Sequence, residues 1–351
     1  MAIETAYTPR SIWVSDLVDA IGERVPLPTP LAALATTGLV PYALTAAFLW
    51  LIGGFGQPRL VAVQVMAMSV AAVGPVLVWH YDQTVFPSFI EEVTDVITDP
   101  AALRETVERY ERFFCDRYWI VVLPWTVIVL AGIVANIRYF TSIGVAGYTD
   151  PAFLLYLVLT LWLGVLTGIG LHAAVTTVLC IRAVGRLELE IDPLHHDGLG
   201  GLSTIGYFSI RTTVMNSVGS FALPLAFAIA AKGGYRPIIY FGVGIYILSL
   251  AASFLYPTVY VNRRAREIRN GVLEEKRRRI RELQARLADG SADAELTDVE
   301  TRLRIQTLRN DYKDFERVNL YPLSISIITR LVSSVLLPIA FTLLETYVFT
   351  G

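Results

Sequence analysis

The stretch FLLYLVLTLWLGVLTGIGLHAAVTTVLCI, residues 153–181, contains no Asp, Glu, Lys or Arg. A helix needs about 20 consecutive apolar residues to cross the hydrocarbon core of a bilayer. This run therefore reads as a membrane span, and the fold follows from how many similar runs surround it. They recur at Leu31–Leu51, Leu60–Trp79, Trp119–Ile137, Ile205–Ala231, Ile238–Val261 and Leu320–Phe349, which predicts an all-α polytopic membrane protein with seven transmembrane helices. Pro41, Pro75, Pro124, Pro224 and Pro338 fall inside these runs and are expected to kink them. Composition agrees. The 351 residues are 54% hydrophobic and 17% charged, with a mean hydropathy of +0.53, against roughly 45–50% apolar and about 25% charged in soluble domains.

The net charge of −2 carries little information, but its distribution does. Arg104, Arg109, Arg112 and Arg117 separate spans two and three, Arg182 and Arg186 follow span four, and a dense basic set from Arg263 to Arg317 separates spans six and seven. The alternate loops hold only Arg59, Arg138, Lys232 and Arg236. The positive-inside rule then predicts a cell-membrane protein with a cytoplasmic N-terminus and an extracellular C-terminus. The opening residues MAIETAYTPRSIW lack the apolar core of a signal peptide, so the first span is expected to direct insertion. Cys115 and Cys180 lie beside cytoplasmic span ends, where a disulfide is not expected, and read as small buried residues.

Residues 1–30 form a cytoplasmic or interfacial segment, in which Trp13, Leu17 and Ile21 recur at steps of four on a short amphipathic helix ended by Pro26, Pro28 and Pro30. Residues 31–261 form a six-helix bundle interrupted by cytoplasmic helices at 88–118, where Asp99 is placed to cap the second of them. Span six is expected to continue as a helix into a cytoplasmic hairpin at residues 262–318. Glu274 with Arg278 and Glu282 with Arg286 stand four apart, and Thr297 with Glu300 has the spacing of a capping box for the returning helix. Residues 319–351 form the seventh helix. There Ser326, Arg330, Ser333, Ser334, Thr342 and Glu345 recur along one side of an otherwise apolar run. Such a stripe faces a pore or other protein, or its charged members snorkel to opposite interfaces.

One local motif stands out, IDPLHHDGLGGL at residues 191–202. In one reading Asp197 caps span five and Gly198, Gly200 and Gly201 make a tight turn. In the other, the glycines shape an anion-binding concavity while His195, His196 and Asp197 bind a metal or sense pH. The turn is similar to a Leu-His-x-Asp-Gly-x-Gly-Gly-Leu signature of prokaryotic multi-pass proteins. Within the spans, Gln64, Asn136, His172, Arg211 and Asn216 are polar, and His172, Arg211 and Asn216 are candidates for a cavity between helices. His172 follows Gly164, Gly168 and Gly170, a setting for a packed histidine with one hydrogen bond across a close helix contact. No phosphate loop, zinc-protease, serine-hydrolase or other catalytic motif occurs, so the chain is read as a non-enzyme with no cofactor and no resident metal. No basic patch interleaved with aromatics marks nucleic-acid binding.

Seven spans, a cytoplasmic N-terminus, long cytoplasmic helices before the last span and a C-terminus directly after it resemble the insect odorant and gustatory receptor channels and their prokaryotic look-alikes. The gustatory signature of Thr-Tyr, five apolar residues and Gln-Phe is not present; Thr346-Tyr347 is followed by Val348-Phe349-Thr350-Gly351. The resemblance implies that the hairpin anchors four subunits and that the last helix lines a central cation pore. The expected function is therefore a subunit of a homotetrameric ligand- or stimulus-gated ion channel, with lipid, a small-molecule ligand and a permeant ion as partners. The alternatives are a non-conducting membrane sensor or scaffold, or a small-solute transporter.

Overall fold

A computed structural model describes residues 10–94, 96–188, 203–288 and 295–317. Helices are the regular elements of these residues: α1 Trp13–Gly22, α2 Thr29–Thr36, α3 Leu39–Leu51, α4 Pro58–His80, α5 Phe86–Thr94, α6 Pro100–Asp116, α7 Trp119–Ala135, α8 Ile137–Ser142, α9 Pro151–Val184, α10 Ser203–Ser217, α11 Leu223–Lys232, α12 Arg236–Ala288 and α13 Glu295–Arg317. Among the described residues six helical stretches are long and apolar enough to span a membrane: Thr29–Leu51, Pro58–Thr94, Pro100–Ala135, Pro151–Val184, Thr204–Lys232 and Arg236–Pro257. They correspond to the first six predicted spans and mark a multi-pass membrane protein. Residues 319–351, with Ser326, Arg330, Ser333, Ser334, Thr342 and Glu345, lie outside the described residues. So does the turn holding His195, His196, Asp197, Gly198, Gly200 and Gly201.

The charge-free run 153–181 is the axis of the bundle. α9 packs against α3, α4, α6, α7, α10 and α12. More than half of its apolar window is buried, as in α4, whereas the windows of the other spans are buried to 28–39%. Small residues make this central position possible. A Cβ on Gly164 would come within 3.2 Å of Thr126, and one on Gly168 within 3.1 Å of the Val122 backbone, so the two glycines permit a close approach of α7 and α9. The outer faces stay apolar, with Trp50 73%, Leu248 70%, Leu123 62% and Phe241 60% exposed. That is the surface expected of a bundle solvated by lipid rather than water.

Several helices are not regular. Gly38 divides the first span into α2 and α3, with Pro41 in the first turn of α3. α4 runs through a π-helical turn, Tyr81–Val85, into α5, so the second span and the first predicted cytoplasmic helix form one stretch. Span five is interrupted by a 3-10 turn at Val218–Ala222, immediately before Pro224. Asp99 caps α6 as predicted, its Oδ1 accepting from Ala101 N (2.9 Å) and Ala102 N (3.2 Å). Asp150 does the same for α9; the N–H groups of Ala146 and Ala152 hold its carboxyl below the usual carboxylate range.

Two sequence expectations change. The stripe Trp13, Leu17 and Ile21 marks α1 as amphipathic but is not its packed side: Val14, Ser15 and Val18 are the buried residues, while Trp13 and Leu17 are more than a third exposed. In a membrane protein the lipid-facing side of a helix is as apolar as the packed side, so an apolar stripe does not identify which side is packed. Likewise α13 starts at Glu295, which puts Thr297 inside its first turn rather than at the cap. α12 and α13 do pair, through Lys276 Nζ to Asp311 Oδ2 (3.0 Å) and Arg277 Nη2 to the Tyr312 hydroxyl (2.7 Å). Along α12, Arg279 bonds Glu275 at 2.7 Å and Arg278 lies 3.9 Å from Glu282; the ion pairs are four apart, but Arg278 pairs forward with Glu282 and not, as the spacing suggested, with Glu274.

Candidate functional site

A cavity runs between the spans beside α9. One chamber, about 70 Å³, is lined by Gly74 and Tyr81 of the α4 stretch, Phe114 of α6, Gly170 of α9, and Thr212 and Asn216 of α10. A second, about 140 Å³, lies between α7, α9, α11 and α12, lined by residues such as Trp125, Tyr156, Thr160, Ala226 and Ile239. Thr167, Gly219 and Tyr246 line both chambers and make up the wall they share, the neck of the site. The 3-10 turn containing Gly219 is part of this neck, and a mid-helix 3-10 turn is a common site of hinge motion.

The polar groups of the neck are mostly spoken for. Trp125 Nε1 donates to Thr167 Oγ1 (2.9 Å), which donates to Leu163 O (2.7 Å). The Tyr246 hydroxyl donates to Asn216 O (2.8 Å) where α10 gives way to the 3-10 turn. The Asn216 carboxamide lies against Gly170, its Oδ1 only 2.7 Å from where a Cβ would stand. Among the described residues lining either chamber none is charged. Such a cavity is suited to an uncharged molecule with an apolar body and one hydrogen-bonding group, since a desolvated charge would find no partner there.

Of the three residues read from sequence as cavity candidates, only Asn216 lines the space. His172 is fully buried but stands behind the wall. Its Nε2 is 3.0 Å from Phe113 O, Nδ1 has no partner, and the ring stacks on Phe114 at 5.7 Å, which is the packed histidine expected of that position. Arg211 is exposed on the outer side of α10. Asn136 ends α7 and ties it to the α11–α12 turn, donating to Gly132 O (2.8 Å) and Tyr235 O (3.1 Å) and accepting from Tyr235 N (2.9 Å). Gln64 is buried and accepts from the Tyr156 hydroxyl (3.3 Å), while its Nε2 has no partner. Cys115 and Cys180 are both buried free thiols, as expected.

Two groups at the hairpin end of the cavity escaped the sequence reading. Asp82, in the π turn, and Glu111, in α6, are 8% and 6% exposed, and among the described residues neither forms an ion pair. Their partners are backbone amides of the segment before α1. Ile12 N donates to Asp82 Oδ2 (3.1 Å) and Arg10 N to Glu111 Oε1 (2.7 Å). Ile12 and Val14 continue into the same core as Val78, Tyr81 and Phe114, which line the smaller chamber. The segment therefore packs into the core that backs this end of the smaller chamber, whose wall there is formed by the Tyr81 and Phe114 rings, 5.1 Å apart, the partition on that side. A hydroxyl relay holds that partition: Tyr81 to Thr177 (3.0 Å), Thr177 to Thr212 (3.3 Å) and Thr212 to Phe208 O (3.0 Å). The sequence did carry one signal. Glu111 falls in register with Leu103, Val107 and Phe114, the buried side of α6.

No protein-family model matches the chain, and neither a curated protein nor a solved structure shows significant similarity to it.

Proposed function

We propose that the chain is a subunit of an oligomeric ligand- or stimulus-gated ion channel of the cell membrane, with a cytoplasmic N-terminus and an extracellular C-terminus. The observation that carries this reading is the continuity of α12. The helix that walls both chambers through Tyr246 runs on from Arg236 to Ala288 and pairs with α13, which ends at Arg317. In sequence, that end leads directly into the apolar stretch 319–351. A ligand that alters the cavity thus has a helical path to the stretch proposed to line the pore, where Ser326, Arg330, Ser333, Ser334, Thr342 and Glu345 would form the polar side. A ligand moves such an equilibrium only through different affinity for its two states. The hinge-like neck at Gly219 is where the two states would differ in cavity shape.

The uncharged lining supports a neutral small-molecule ligand, and the resemblance to the chemoreceptor channels supports four subunits around one pore. The test is imaging of the detergent-solubilised complex together with ion flux in liposomes. A four-fold ring with the last helix on its axis, and flux under an ionic gradient, are the expected results. A monomer without flux would refute the channel and favour a membrane sensor, for which the exposed Val299 and Leu303 of α13 offer a partner surface. Saturable solute uptake abolished by Asn216→Leu would instead identify a transporter.

A further inference from the structure

We infer that Asp82 and Glu111 form a peptide-binding site, occupied in cis by Arg10–Ile12, and that this N-terminal strap is a removable closure of the cavity. The inference stands whether or not the chain conducts ions. A buried carboxylate needs donors, and these two find theirs in backbone N–H groups rather than in a cationic side chain. The Arg10 guanidinium goes elsewhere, its Nη1 to Asp116 Oδ2 at 2.7 Å on the exposed rim. The site therefore reads main chain, through two amides on alternate residues, with the buried Ile12 and Val14 side chains adding an apolar anchor. Further along, Trp79 Nε1 donates to Asp19 Oδ1 (2.7 Å) and Trp13 meets Trp162 edge-on at 6.2 Å.

Removal of the strap leaves two carboxylates uncompensated against an apolar core, so water, a cation or protonation must make good the lost amides. Those replacements arrive beside Tyr81 and Phe114, the partition of the smaller chamber. Strap occupancy and hydration of that end of the cavity are in consequence mutually exclusive. The strap is a chain segment outside the spans, held by two amide hydrogen bonds, one exposed ion pair and the Ile12 and Val14 side chains, and in this inference it opens as a local unit without the spans coming apart.

The chain carries its own reporter. Cys115 Sγ lies 3.5 Å from Arg10 O, under the strap, whereas Cys180 is fully buried at the centre of the bundle. The full-length chain in detergent is treated with a maleimide, and each cysteine is followed by mass spectrometry. In the wild type Cys115 is expected to label at least ten-fold faster than Cys180; equal rates would mean that the strap leaves only with the bundle, and would overturn the inference. Asp82→Ala with Glu111→Ala is expected to accelerate Cys115 at least a further ten-fold without exposing Cys180, and an unchanged Cys115 rate would also overturn it. Should that variant expose both cysteines by losing its fold, the wild type decides through hydrogen exchange. The Arg10 and Ile12 amides are then expected to exchange at least a hundred-fold more slowly than in a free peptide, and exchange at the free-peptide rate refutes the site.

Discussion

Replacing Ala226 with leucine probes whether the larger chamber is space that the folded chain leaves unfilled. Ala226 lies on α11 and lines that chamber, whose volume is about 140 Å³. Unfilled volume costs contacts on every side of its wall, at about 24 cal/mol per Å³. Because this cost is separate from transfer out of water, it applies inside a bilayer as well. The whole chamber thus represents at most about 3 kcal/mol, and the three added carbons of one leucine recover part of it, up to about 1–2 kcal/mol. For a chain of this size that corresponds to a rise in Tm of roughly 1–3 °C. The assay is thermal unfolding in detergent, with and without benzene, a probe that enters dry apolar cavities of comparable volume. Benzene is expected to raise the Tm of the wild type and to have little effect on Ala226→Leu. A fall in Tm in the variant would show that the chamber has no room for the side chain, and an equal benzene shift in both would show that the probe binds elsewhere. Either result would refute the reasoning from the cavity to a ligand.

Three further outcomes are expected. Asn136→Ala removes three hydrogen bonds and leaves the Tyr235 main chain with lost partners, which should destabilise the fold by about 2–4 kcal/mol in denaturant titration. Gly168→Ala forces a Cβ to 3.1 Å from the Val122 backbone and should cost about 1–3 kcal/mol, whereas Gly242→Ala meets only Ile128 Cγ2, at 3.6 Å, and should be nearly neutral; equal melting temperatures for the two would contradict the close α7–α9 approach. Asp150 has a depressed folded-state pKa, so its contribution to stability is present above its unfolded pKa and is lost as pH falls through the folded value. Asp150→Asn should accordingly melt below the wild type at pH 7 and converge with it in strong acid, as read by Tm against pH.

The six described spans were legible because each is a charge-free or nearly charge-free run of the required length, and Asp99 because a cap acts on residues two and three positions away. The cavity left no such trace. Its wall is assembled from glycines, threonines and apolar residues of several spans, each ordinary in its own helix, and only their juxtaposition creates the space. Asn216 was singled out as an intramembrane amide, but nothing in its spacing separated it from Arg211 or His172, which face outward and into packing respectively. The clasp was hidden for a different reason. Asp82 and Glu111 are bound by amides 70 and 101 residues away, and a main-chain donor has no side-chain signature.

The unbroken run of α12 also has a mechanical meaning. At about 1.5 Å per residue, Tyr246 stands about 16 Å from Pro257, and Ala288 about 46 Å beyond it on the other side. A proline inside a helix lacks one backbone hydrogen bond and is a natural place to pivot. Taken as a lever with its fulcrum at Pro257, α12 has an advantage of about three. A sideways displacement of 1 Å at the cavity neck, on the order of a side chain making room for a small molecule, becomes about 3 Å at the hairpin tip.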